Sequence, residues 1–148
     1  MEILTFIITW LFATTSMTLF SYIVYLVSHC EVREPELLGR VLKSQKPVTR
    51  KKFNSNLLGW ITHYSIGIIF LLFYEAIWFF TTLERTYING FFFGILAGLI
   101  GVLGWKLMFK YFTRPKINFK VFYSQLIIAH ITFSLTAILT DNILTSYF

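Results

Sequence analysis

Four long apolar segments dominate the hydrophobic pattern of this chain. They cover residues 3–27, 57–82, 88–112 and 121–143, and each exceeds the roughly 20 residues that a helix needs to cross a bilayer. The polar positions between them form loops, of which 28–56 and 113–120 are rich in bases. The pattern predicts an all-α integral membrane four-helix bundle, with residues 1–148 forming a single transmembrane domain.

The loop over 28–56 contains one amphipathic stretch, which runs from Glu34 to Lys43. Its second residue is proline and two of its first three are acids, as is typical of a helix start. Its leucines and valine share one face, and Arg40 and Lys43 lie beside that face. We therefore predict a short interfacial helix in the first cytoplasmic loop.

A cleavable signal peptide is the alternative interpretation of the first apolar segment. Such a peptide starts with a basic region, but this chain has no Lys or Arg before Arg33. The segment is also too long for the apolar core of a signal peptide, and it has no clear cleavage site. We expect an uncleaved first helix.

The distribution of charge predicts the orientation. With four spans, twelve of the thirteen Lys and Arg residues fall on one side, and only Arg85 falls on the other. The positive-inside rule makes the basic side cytoplasmic, so both termini should lie outside a cell inner membrane. The formal charge of +6 is then explained by topology and by attraction to anionic lipid, so no nucleic-acid partner is expected.

Composition supports the membrane assignment. A hydrophobic fraction of 56% with 14% charged residues is not that of a small soluble domain, whose surface needs more polar side chains. The single cysteine, Cys30, excludes a disulfide within the chain.

The third span carries a glycine stripe at spacings of four, four and three residues. Glycines let two helices approach closely, so dispersion contacts accumulate along the seam. The stripe predicts helix packing, or alternatively a face for a cofactor or a lipid tail; it consists of Gly90, Gly94, Gly98 and Gly101.

The other three spans each carry a polar stripe. The stripe of the second span includes His63, and that of the fourth includes His130 and Ser134. The two histidines lie roughly 9 and 13 Å from the cytoplasmic ends of their helices, so they are expected to face each other. Two histidines from different helices of a bundle can bind a haem or a metal, form structural hydrogen bonds or relay protons.

Charged residues also fall within the spans. Lys106 shares the layer of the histidines but can extend to the headgroups. Glu75 and Asp141 lie in the outer half, Glu75 as a hydrogen-bonded or protonated carboxyl and Asp141 as a solvated one. Ionisable residues inside a membrane commonly mark functional sites.

A set of short motifs resembles a known group of proteins. The motifs are Phe12-Ala13-Thr14, Met17-Thr18, Pro35-Glu36-Leu37-Leu38-Gly39, Gly59-Trp60 with His63 and Gly67, Gly90 with Gly94, and Ala129-His130. Their order is similar to small four-helix bacterial membrane proteins of an uncharacterised family. The resemblance implies the topology and recurring histidines at positions 63 and 130; where it implies a later glycine, this chain has Ser134.

The sequence contains no nucleophile–base motif, metal signature or phosphate loop, so we expect no catalytic residues. The favoured hypothesis is binding of a membrane lipid, a membrane-protein partner or a second copy, without catalysis. The glycine stripe and the short helix would be the interaction surfaces. The alternative is a haem- or metal-holding or proton-coupled protein built on His63 and His130.

Overall fold

The structure is a computed structural model that describes residues 2–44, 55–112 and 114–147. Within these residues the chain is all-helical, and the helices are α1 (Ile3–Ser28), α2 (Glu34–Ser44), α3 (Ser55–Phe80), α4 (Tyr87–Tyr111) and α5 (Phe119–Tyr147). Among them α1, α3, α4 and α5 are long and apolar enough to span a membrane. The predicted fold is therefore confirmed, and α2 is the predicted short helix. The basic residues at 46 and 50–52 lie outside the described part.

Helix α5 is the central helix. Half of the residues along its apolar length are buried, against 28% in each of the other three spans. It packs closely against α4 on one side and α1 on the other, while α3 packs on α1 and α2. The side chains of Tyr74 and Trp78 of α3 pack on Phe93 of α4, but the two backbones stay apart, and the half of the bundle nearer α2 has a gap between these helices.

Helix α2 packs onto the end of the bundle that carries most of the described bases, which we call the basic end. Its leucines Leu37 and Leu38 are buried together with Trp105 of α4 and Phe122 of α5. The apolar face of α2 is therefore covered by the bundle. We had expected this face to be an interaction surface for a partner, but the bundle already occupies it.

The crossing of α2 and α3 depends on small residues. A Cβ atom on Gly59 would collide with the carbonyl oxygen of Pro35 and would lie 2.7 Å from the backbone nitrogen of Gly39. Because the colliding atoms belong to backbones, neither helix can yield without shifting as a whole. This contact draws the first residues of α2 into the bundle.

The glycine stripe of α4 packs against α5. A Cβ on Gly94 would lie 2.5 Å from the Cα of Ile131, and one on Gly98 would lie 2.7 Å from the Cα of Ile127. The stripe is therefore a seam within the chain. Since α5 covers it, it does not offer the partner surface that the sequence analysis expected.

Replacing Gly94 with alanine should lower the free energy of unfolding by roughly 1–3 kcal/mol, because the added methyl group meets backbone. Gly104→Ala is the matched control, since a Cβ there meets nothing within 4 Å. Thermal unfolding in detergent, followed by circular dichroism, measures both. Equal stability of the two variants would contradict the packing of this seam.

Candidate functional site

The two intramembrane histidines and Glu34 line one cavity of about 200 Å³. All five helices contribute to its mainly apolar wall, for example through Met17, Leu38, Ile66, Met108 and Leu126. The expectation that His63 and His130 share a layer of the bundle thus corresponds to a shared cavity. We call it the histidine cavity.

The histidine cavity opens sideways through the gap between α3 and α4. Ile100 and Gly104 line it and are also exposed on the outside of the bundle. A Cβ on Gly104 would meet no atom within 4 Å, so the space beside it is open. In a membrane this mouth faces lipid.

His63 has one ring nitrogen engaged. Its Nε2 lies 2.9 Å from the hydroxyl of Thr18, and that hydroxyl donates its own proton to the carbonyl of Thr14 at 2.7 Å. Thr18 therefore accepts from His63, and Nε2 carries a hydrogen. In the neutral ring the other nitrogen, Nδ1, is then a hydrogen-bond acceptor.

His130 has the opposite tautomer. Its Nδ1 lies 2.8 Å from the carbonyl oxygen of Leu126, which only accepts, so Nδ1 carries the hydrogen. In the neutral ring Nε2 is the acceptor. It faces Gly101, whose hypothetical Cβ would lie 3.2 Å from it, and Gly101 also lines the histidine cavity. The edge of Phe70 packs on the ring at 5.0 Å between centroids.

Glu34 is buried at the start of α2, with 2% of its surface exposed. One carboxylate oxygen, Oε1, accepts from Ser21 of α1 at 2.9 Å and from Gln125 of α5 at 2.8 Å. The second oxygen, Oε2, is buried and has no hydrogen-bond partner among the described residues. Glu34 therefore joins three helices and keeps one oxygen unsatisfied.

Burial raises the pKa of Glu34 to about 8, and the nearby charge of Glu36 acts in the same direction. The hydrogen bond from Ser21 opposes this shift without cancelling it. A protonated Glu34 can donate to an acceptor, whereas the charged form can hold a cation or a hydroxyl.

Sequence reasoning missed Glu34 and Gln125 as site residues. Glu34 was taken only as an acid in a first helical turn, although it shares the apolar face of Leu37, Leu38 and Val41. A carboxyl on the apolar face of an amphipathic helix was the available signal. For Gln125 the available signal was its place one turn before Ala129 in α5, on the face of the helix that is buried.

A second polar cluster lies at the opposite end of the bundle. Arg85 donates to Glu75 at 2.8 Å and to Asp141 at 2.6 Å, and its guanidinium lies 4.6 Å from the ring centre of Trp78. Asp141 is 5% exposed. The expectation of a solvated Asp141 was therefore wrong, because the loop between α3 and α4 brings Arg85 over it.

The remaining predicted residues lie outside the histidine cavity. Ser134 of α5 is fully buried, in the half of the bundle that lies away from α2. Lys106 is exposed, and its ammonium lies 5.5 Å from the ring centre of Tyr123. Lys106 thus extends away from the histidines, as expected of a long basic side chain near a helix end.

Comparison with protein-family models, curated proteins and solved structures found no match to this chain. Within the described residues, no group of three or more His, Cys, Asp or Glu side chains is placed to hold a metal ion.

The raised pKa of Glu34 predicts a pH-dependent stability. Between pH 4.5, which is the ordinary pKa of the Glu34 carboxyl, and about pH 8, the folded state keeps the proton while the unfolded chain has lost it. The contribution of the protonated carboxyl to the free energy of unfolding is complete below pH 4.5 and is lost as the pH rises through about 8. The unfolding temperature should fall by several degrees over this interval.

Glu34→Gln stays uncharged, so its unfolding temperature should depend less on pH. The rest of the chain is identical in the two proteins, so the difference between the curves reports on position 34. Differential scanning fluorimetry in detergent gives both curves. Parallel curves would show that Glu34 titrates alike in the folded and unfolded chain.

Proposed function

We propose that this chain is a multi-pass protein of a bacterial inner membrane that binds one lipid-like molecule in the histidine cavity, without catalysis. The observation that carries the proposal is an apolar cavity with three polar groups at its inner surface and a mouth between α3 and α4. A molecule dissolved in the bilayer reaches such a mouth without passing through water.

The proposed orientation places the basic end in the cytoplasm and both termini outside. Arg33, Arg40 and Lys43 at α2 and the bases near the junction of α4 and α5 support it, while Arg85 lies at the other end. This distribution agrees with the positive-inside rule. The resemblance to four-helix bacterial proteins stays a hypothesis that agrees with this location.

The size of the cavity favours the end of an elongated molecule. Its volume of about 200 Å³ is below the roughly 300–1,000 Å³ of pockets that enclose a drug-sized ligand. The polar end would therefore lie inside, and the apolar chain would pass over Ile100 and Gly104 into the bilayer.

The polar groups define the ligand's headgroup. His63 and His130 each offer one acceptor nitrogen, and Glu34 offers one unsatisfied carboxyl oxygen. A group that fits here donates to an imidazole nitrogen and accepts from Glu34, which keeps its proton below about pH 8, because an unpaired buried polar group costs roughly 1–3 kcal/mol. A long-chain molecule with a hydroxyl end fits this set.

Proton coupling is the second candidate function. It is favoured by the placement of one carboxyl and two imidazoles around a single cavity, an arrangement through which a proton can be exchanged. A haem fits less well, because the cavity is small and Nε2 of His63 is already bonded to Thr18.

Native mass spectrometry of the detergent-extracted protein tests lipid binding. We expect a mass excess matching one lipid-like molecule, which Gly104→Phe should remove by filling the open mouth. Leu107→Phe is the matched control, since Leu107 is 55% exposed and does not line the cavity. Loss of the excess in both variants, or a bare mass for the wild type, would argue against the proposal.

The headgroup is tested with hexadecanol and its methyl ether as added probes. Both have the same chain, but only the alcohol donates a hydrogen bond. We expect the alcohol to bind roughly two- to tenfold more tightly, which is the worth of one such bond. This preference should vanish in His130→Phe. Equal binding of both probes to the wild type would refute the donor requirement.

The same preparations address the alternatives. A haem would colour the purified protein, and loss of colour in His63→Ala or His130→Ala would identify its ligand. The native mass spectrum also gives the oligomeric state, and thus tests whether the partner is a second copy of the chain. Proton uptake on addition of hexadecanol, absent in Glu34→Gln, would favour proton coupling.

A further inference from the structure

A second cleft lies on another side of α4, where this helix meets the start of α5. It has a volume of about 380 Å³ and is lined by Lys106, Lys110, Arg114, Phe109, Phe119 and Tyr123. We call it the basic cleft. It shares no lining residue with the histidine cavity, so it is a separate site.

Aromatic rings of α5 position two of the three cations. The Lys106 ammonium lies 5.5 Å from the ring centre of Tyr123, and the Arg114 guanidinium lies 4.6 Å from that of Phe119. Cation–π attraction holds a charge at a ring face and leaves its hydrogen-bond donors free to bind an anion. Lys110 follows Lys106 by one helical turn and lines the same cleft, and its ammonium lies 5.5 Å from the ring centre of Tyr111.

No carboxylate in the described part of the chain forms an ion pair with any of these three bases. By contrast, Arg33, Arg40 and Arg85 all have carboxylate partners. Three uncompensated like charges repel one another, and a bound anion relieves this repulsion. The charge of the cleft is therefore complementary to a phosphate group.

We propose that the basic cleft binds the phosphate headgroup of an anionic phospholipid. Leu103 and Leu99 lie one and two turns before Lys106 on α4 and are 60% and 49% exposed. They continue the same side of the helix toward the middle of the membrane. An acyl chain attached to the bound phosphate has an apolar path along them, which a free phosphate does not use.

Lipid titration followed by native mass spectrometry tests this proposal on the full chain in detergent. Phosphatidylglycerol and phosphatidylcholine of the same acyl composition are added separately. We expect phosphatidylglycerol to bind more tightly, and the double variant Lys106→Gln, Arg114→Gln to weaken its binding roughly tenfold or more. Phosphatidylcholine binding should hardly change.

The matched control is the double variant Lys116→Gln, Lys120→Gln. It removes the same charge from the same end of the bundle, but these exposed lysines do not line the cleft. An equal loss in both double variants would show diffuse attraction and overturn the proposal, as would equal binding of the two lipids. Displacement of phosphatidylglycerol by millimolar inorganic phosphate would instead assign the cleft to free phosphate.

The outcome is independent of the proposed function. Removing charge at Lys106 and Arg114 leaves the histidine cavity intact, and closing that cavity with Gly104→Phe leaves the basic cleft intact. Each variant therefore serves as a folding control for the other site.

Discussion

The close approach of α4 to α5 is the contact on which the rest of the structure depends. At Gly94 and Gly98 the two backbones are so near that no side chain fits between them. This contact commits the backbone of α4 to α5, whereas the backbone of α3 packs on α1 and α2. The gap between α3 and α4 follows from this arrangement, and so does the mouth of the histidine cavity. Tight packing in one seam thus creates space in another.

Two clusters of polar side chains tie helices of this bundle together. Ser21, Glu34 and Gln125 join α1, α2 and α5 at one end, and Arg85 joins α3 and α5 at the other. In hydrocarbon such bonds have no competing water, so unsatisfied atoms are unfavourable. Buried oxygens of Thr14, Gln125 and Glu34 lack a partner among the described residues, and of these three residues Glu34 lines the cavity in which we propose a ligand.

Two clusters of bases, one at each end of the bundle, differ in whether carboxylates pair with them. At the end that holds Arg85, two acids surround the cation and neutralise it. At the basic end, Arg33 and Arg40 pair with Glu31, whereas Lys106, Lys110 and Arg114 have aromatic neighbours and no described acid partner. A compensated cluster stabilises the fold, whereas an uncompensated one attracts anions. The same residue types therefore pair with acids in one cluster and, as we propose, bind an anion in the other.

The sequence by itself determined the four spans, the short helix, the glycine seam and the buried face of each span, because length, hydropathy and helical periodicity are local properties. It also brought His63 and His130 to one layer, since depth follows from position along a helix. Only the tertiary structure decided which helices touch, and with that the place of the cavity. The burial of Glu34 and the pairing of Asp141 with Arg85 depend on how short segments fold back onto the bundle, which local pattern does not encode.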